Sequence, residues 1–209
     1  MAARRRQVST AEPAAEPRVD PRIEQTRRAV YAATLELISE GGLQQITVER
    51  IAERSGVSRS TIYRRWPSLA RLYYEAFNGI VHRSTTPARG DTANELREYL
   101  QDYADRLNDP SYCSVLVALL DGAWRDPELA RVHKELFNER SSRAAAILAV
   151  GMRAGKIRSD IDISEAIEAL VSPFLYRRLV EQQPIKPEEI RRLHADVLRR
   201  FGTGAQRAR

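Results

Sequence analysis

The stretch SGVSRSTIYRRW, Ser55 to Trp66, carries three arginines, a tyrosine and a run of serine and threonine hydroxyls without one acidic residue. From Arg54 to Tyr74 there are five arginines and still no acid. Guanidinium groups pair with phosphate or with the edge of guanine, and hydroxyls donate to phosphate oxygens and bases. The set suits recognition of a polyanion, and Arg59, Ser60, Thr61 and Tyr63 are the side chains best able to do it.

Just upstream the spacing Ala52-x3-Gly56-x5-Ile62 has a mechanical reading. A small residue lets two helices cross closely, glycine supplies the turn that a Cβ makes costly, and Ile62 anchors the second helix inward. That is the helix-turn-helix pattern, whose second helix lies in the DNA major groove. With Ile62 facing in, Arg59, Ser60 and Tyr63 face out. Thr47 and Ser68 begin helices whose free N–H groups suit phosphate oxygens.

The elements that must position these residues are legible from periodicity and caps. Residues 1–19 are rich in Ala, Arg, Glu and Pro without apolar periodicity and read as a disordered basic arm. Asp20-Pro21 opens a first helix with Ile23, Val30, Ala33, Leu37 and Ile38 at helical spacing, ended by Gly41-Gly42. A short helix after Thr47 and a third from Arg59 to Trp66 complete a DNA-binding domain over 20–66. A connecting helix over 67–83 follows, with Leu69, Leu72, Tyr73, Ala76, Phe77 and Ile80 as its apolar stripe, and Trp66 is expected to pack beneath it.

After a linker at Pro87 to Gly90, a larger helical domain runs over 84–201. Thr92-x-x-Glu95 reads as a capping box, Asn108-Asp109-Pro110 as a break, and Asp126-Pro127-Glu128 as the start of a long helix closed by Gly155. A helix from Asp162 to about Gln182 should kink at Pro173, and Pro187 opens the last one. Residues 202–209 read as a disordered tail. The whole is all-α, about nine helices.

Composition narrows the class. The chain has 209 residues with a formal net charge of +6, and residues 1–83 hold 14 arginines against 9 acids, so the excess lies at the N-terminal end. The single cysteine, Cys113, excludes an internal disulfide and a cysteine-built zinc cage. No signal peptide or membrane span is legible, which points to the cytoplasm. His82, His133 and His194 lie far apart, Asp160-x-Asp162 is explained by capping, and there is no phosphate loop or serine elbow, so neither an enzyme nor a metal or other cofactor is expected.

The run ITVERIAERSGVSRSTIYRRWPSLARL resembles the DNA-binding domain of the tetracycline-repressor (TetR) family, and GAWRDPELARV, GMRAGKIRSDID and LVSPFLYRRLVEQQPI look like the C-terminal domain of one branch of it. The resemblance implies a homodimeric repressor of a palindromic double-stranded operator, released by a small effector. It puts Thr47, Ser58, Tyr63 and Arg65 where phosphate contacts are usual, and Arg59, Ser60 and Thr61 where bases are read. Leu69 stands where a phosphate-binding lysine is common, with Arg71 as a substitute, and Ser60 replaces a common glycine.

The same resemblance implies dimerisation through the last two helices, whose apolar stripes are Ile167, Leu170, Val171 and Leu175, and Ile190, Leu193, Val197 and Phe201. It also places an effector cavity among the middle helices, where Tyr103, Leu116, Leu120, Trp124, Phe137 and Phe174 would accept a small apolar or aromatic molecule. The alternatives are a regulator that works without an effector, an activator, or a DNA binder that also uses the Arg4-Arg5-Arg6 arm in a minor groove.

Overall fold

The computed structural model describes residues 21–80 and 88–204. The arm, with Arg4 to Arg6, and His82 lie outside them. Nine α-helices carry the described residues: α1 (Pro21–Gly41), α2 (Val48–Ser55), α3 (Arg59–Arg65), α4 (Leu69–Ile80), α5 (Thr92–Asn108), α6 (Pro110–Arg125), α7 (Pro127–Arg153), α8 (Ile163–Leu175) and α9 (Pro187–Phe201). The expected all-α class holds.

Helix starts follow local chemistry. Asp109, Asp126 and Asp162 each accept backbone N–H groups at the head of α6, α7 and α8, the first two followed by proline at the first helical position. Thr92 is a correction: α5 starts behind Asp91, and Thr92 is the buried first helical residue rather than a cap. Glu95 is buried too, and its Oε1 accepts the Arg89 N–H instead of completing a box.

Pro173, where a kink was expected, lies within α8, whose α-geometry continues two residues beyond it. The α-geometry of α8 ends at Leu175 and the chain widens into a single π-turn over Tyr176–Val180.

α1 packs on α4, α2 and α6, α4 packs on α7, and α5 to α9 pack on one another, so one apolar core runs from the N-terminal helices into the C-terminal ones. Ile23, expected on the buried stripe of α1, is exposed at its first turn. The tail expectation is corrected for its first residues. Arg158 N–H donates to the Phe201 carbonyl at 2.8 Å and Thr203 N–H to the Lys156 carbonyl at 3.1 Å, which pins Gly202 and Thr203 against the α7–α8 loop.

Candidate nucleic-acid interface and ligand cavity

α2 and α3 are joined by Gly56 at φ 70° and ψ 11°, the left-handed conformation that the spacing demanded. Its N–H returns to the Ala52 carbonyl at 3.0 Å and closes α2. Ser58 caps α3, accepting the Thr61 N–H at 3.3 Å, and its Oγ sits 2.9 Å from Thr61 Oγ1 and 3.1 Å from Ser60 Oγ. Thr47 caps α2 by accepting the Arg50 N–H at 3.3 Å. Two of the hydroxyls expected to meet phosphate, Thr47 and Ser58, therefore also hold helix N-termini.

Only Ile62 of the seven α3 residues is buried. Arg59, Ser60, Tyr63 and Arg64 are exposed, Tyr63 at 61%, while Thr61 and Arg65 are half-buried. An exposed phenol beside exposed guanidiniums has no packing reason and is available to a partner.

The charge is distributed less evenly than the sequence implied. Arg54 is held by Glu40 through two hydrogen bonds, 2.8 and 3.0 Å, and by Glu36 at 3.3 Å, both acids coming from α1. Arg71, expected to stand in for a lysine at Leu69, donates to Glu75 at 3.2 Å and lies over the Tyr74 ring. Among the described residues Arg59 has only a long, exposed contact of 3.7 Å with Glu49. Surface pairs of this kind are weak, so Arg59 can exchange it for a base or phosphate.

Trp66 packs as expected, 3% exposed, and its indole N–H donates to Glu75 on α4 at 2.9 Å. The same carboxyl accepts from Tyr31 of α1 at 2.7 Å. Burial pushes the Glu75 carboxyl up, but the bonds from Tyr31, Trp66 and Arg71 outweigh it and hold the group below the usual carboxylate range. α4 is tied in turn to α7: Tyr74 and Asn78 donate to Glu139 at 2.7 and 2.6 Å, and Ser68 to Glu128 at 2.6 Å.

A cavity of about 90 Å³ lies between α4, α5, α6, α7 and α8. Tyr103, Leu116, Leu120 and Phe137, expected at the effector cavity, are among its lining residues. Trp124 does not: it stands 90% exposed near the end of α6, because the buried stripe of that helix runs through Tyr112, Val115, Leu116 and Leu119 and turns away from position 124. Phe174 is buried and stacks on Tyr103 at 6.5 Å without reaching the cavity wall.

Sequence reasoning missed Phe77, Tyr112, His133 and Arg140, all of which line the cavity. The Arg140 guanidinium carbon lies 3.9 Å from the Phe77 ring centre and 5.6 Å from that of Tyr112. Burial holds Arg140 below the usual arginine range, yet a guanidinium stays protonated. His133 is also pushed below its usual value, first by burial and then by Arg140. A signal for Arg140 existed: it occupies the i+4 slot between Leu136 and Ala144, both buried on α7.

The dimer assignment needs correction. Ile167, Leu170, Val171, Ile190, Val197 and Phe201 are buried within the single chain, so they are core; only Leu175 and Leu193 are half-exposed. Both stripes have the helical period, but an apolar stripe faces its own subunit first. What α8 and α9 leave outside is a groove with Pro173, Tyr176 and Leu193 on its wall. Tyr176 and, beside it, Val180 are 58% and 63% exposed.

Comparison with known proteins agrees with this geometry. Residues 30–76 match the family model described as bacterial regulatory proteins, tetR family, and residues 86–197 match that of the tetracyclin repressor-like C-terminal domain. The chain is 28% identical over 172 residues to the uncharacterized HTH-type transcriptional regulator YdeS of Bacillus subtilis, covering 81% of this chain and 86% of that one. The TetR family transcription regulator SCO0332 superposes with a TM-score of 0.66 at 28% identity, covering 83% of this chain and 97% of the other. NalD, the secondary repressor of the MexAB-OprM multidrug efflux pump in Pseudomonas aeruginosa, shares the fold with a TM-score of 0.66 at 19% identity, over 87% and 98% of the two chains. No helix among the described residues is long and apolar enough to cross a membrane.

Proposed function

The chain belongs to the tetracycline-repressor family of DNA-binding transcriptional regulators, not of enzymes, and from that premise we propose that it is a cytoplasmic homodimeric repressor, released from a palindromic operator by a small ligand. In this reading α3 enters the major groove. Arg59, Ser60 and Thr61 read base edges, and Thr47, Ser58, Tyr63 and Arg65 hold phosphates.

The observation that carries the gating part is the placement of α4. Its Glu75 holds Trp66 at the end of the reading helix, and two residues later Phe77 forms part of the cavity wall. A ligand that displaces the Phe77 side moves the element on which the reading head is mounted, and it shifts the equilibrium only by its preference for the displaced state. The second copy docks on the outer face formed by α8, the π-turn that follows it and α9, where Tyr176, Val180 and Leu193 are accessible apolar groups.

A gel shift on the DNA flanking the gene, against random DNA over a salt series, tests the reading. Selective binding to a palindrome with two half-sites is expected. Equal affinity for both DNAs overturns the operator assignment. A monomer by sedimentation at micromolar concentration, together with no change on Tyr176→Glu, overturns the dimer surface.

A further inference from the structure

The gating reading leaves the chemistry of the ligand open, and the cavity wall narrows it. Arg140 brings a full positive charge to a lining that is otherwise aromatic and aliphatic apart from His133 and Ser141, and no acidic side chain among the described residues lines the cavity. Its Nε and Nη2 are buried and have no hydrogen-bond partner among the described residues. The adjacent carboxylate, Glu139, accepts from Tyr74 and Asn78 of α4. A second cation, Arg106, lies over the Tyr103 ring at 5.9 Å, its own Nε buried and without a hydrogen-bond partner among the described residues.

A buried charge is tolerated only when it is paired or hydrogen-bonded, and the faces of Phe77 and Tyr112 meet that need in part. Unmatched donors in a fixed planar fork fit a carboxylate. At about 10–15 Å³ per water, a cavity of about 90 Å³ has the capacity of a single ring or a short alkyl chain rather than a polycyclic molecule.

Resting on the reading of this cavity as the ligand site, we propose that it takes a small organic acid. The carboxylate pairs with Arg140, and the hydrocarbon part lies among Tyr112, Leu116, Leu120 and Phe137. Pairing draws the guanidinium from the face of Phe77, and Phe77 belongs to α4, so the same contact that selects the acid loosens the helix carrying the reading head.

The test uses the full chain and compares benzoate with benzamide, its neutral analogue, and with phenyltrimethylammonium, followed by calorimetry and thermal shift. Hexanoate and phenylacetate extend the series to other shapes of acid. Benzoate or one of the two other acids is expected to bind at least about tenfold more tightly than its amide, the scale of one charge-assisted hydrogen bond, and the ammonium not to bind. Arg140→Gln should remove that preference while helical content is unchanged, and Arg140→Lys should restore part of it. Equal binding of acid and amide in the wild-type chain, preference for the ammonium, or no binding of any acid at millimolar concentration overturns the proposal.

Operator release is measured separately. An acid that binds through Arg140 without releasing DNA supports the ligand class and counts against gating. Release by neutral molecules alone supports gating and overturns the ligand class.

Discussion

Trp66, the residue that ends the reading helix, donates its indole N–H to Glu75 in the middle of α4, at 2.9 Å. Nine positions apart in sequence, the two residues join the DNA-facing unit to the helix that walls the cavity. Removing the donor with Trp66→Phe, or the charge with Glu75→Gln, should lower stability by about 1.5–3 kcal/mol, the range for hydrogen bonds to charged groups. Both variants should also weaken the effect of ligand on operator affinity. Denaturant unfolding and gel shifts with and without ligand measure the two effects, and an unchanged ligand effect in both variants would remove this bond from the coupling route.

The Glu75 carboxyl also sets an acid limit. Its folded value lies below the usual one near 4.5, so its contribution is complete above that pH and is lost as the pH falls through the lower folded value. Melting temperature followed from pH 6 to pH 3 should decline less steeply in Glu75→Gln than in the wild-type chain.

His133 gives a second window. Its folded value is below 6.5, so the unfolded chain binds the extra proton first and stability increases with pH through that region. The contribution is complete above about 6.5 and fades as pH falls from there through the folded value. His133→Leu should flatten the melting temperature between pH 7.5 and 5.5; an identical slope in the variant would place the titration elsewhere.

Arg59→Ala should relax base preference at one step of the operator, costing about 1–3 kcal/mol there and little at other sequences. Selection from randomised half-sites reads this directly. An equal loss on every sequence would make Arg59 a phosphate contact instead.

Gly56→Ala isolates a conformational cost. An added Cβ meets no atom within 4 Å, but φ is +70°, so about 1–2 kcal/mol of backbone strain is expected without a clash. Gly56→Asn should recover part of it, because asparagine tolerates that region. A melting-temperature series over the two variants checks the order.

Elements with strong local chemistry were legible in the sequence. Gly56 demanded its turn, Thr47 its cap and Trp66 its place under α4. What periodicity reports is that a face is buried, not against what, which is why the Ile167 and Val197 stripes could not reveal that they close on their own subunit. Trp124 was misplaced because large aromatic character outweighed its position off the stripe of α6. The acid-free look of residues 54–74 hid the acids that α1 supplies to Arg54, since linear distance says nothing of a neighbouring helix. Arg140 was passed over because a charged residue in NERSSR reads as solvated surface, although its i+4 slot lay on the apolar face.

A seven-residue helix anchored by one buried side chain has a consequence for how such a protein diversifies. Ile62 is the one buried residue of α3, so in the proposed reading the base-reading side chains at 59 and 60 form an address written on a surface that folding does not constrain. Substitutions there can redirect the chain to a new stretch of DNA while the cavity, the α4 linkage and the remaining core keep their packing. Target choice and signal reception can therefore drift as separate inheritances within a single fold.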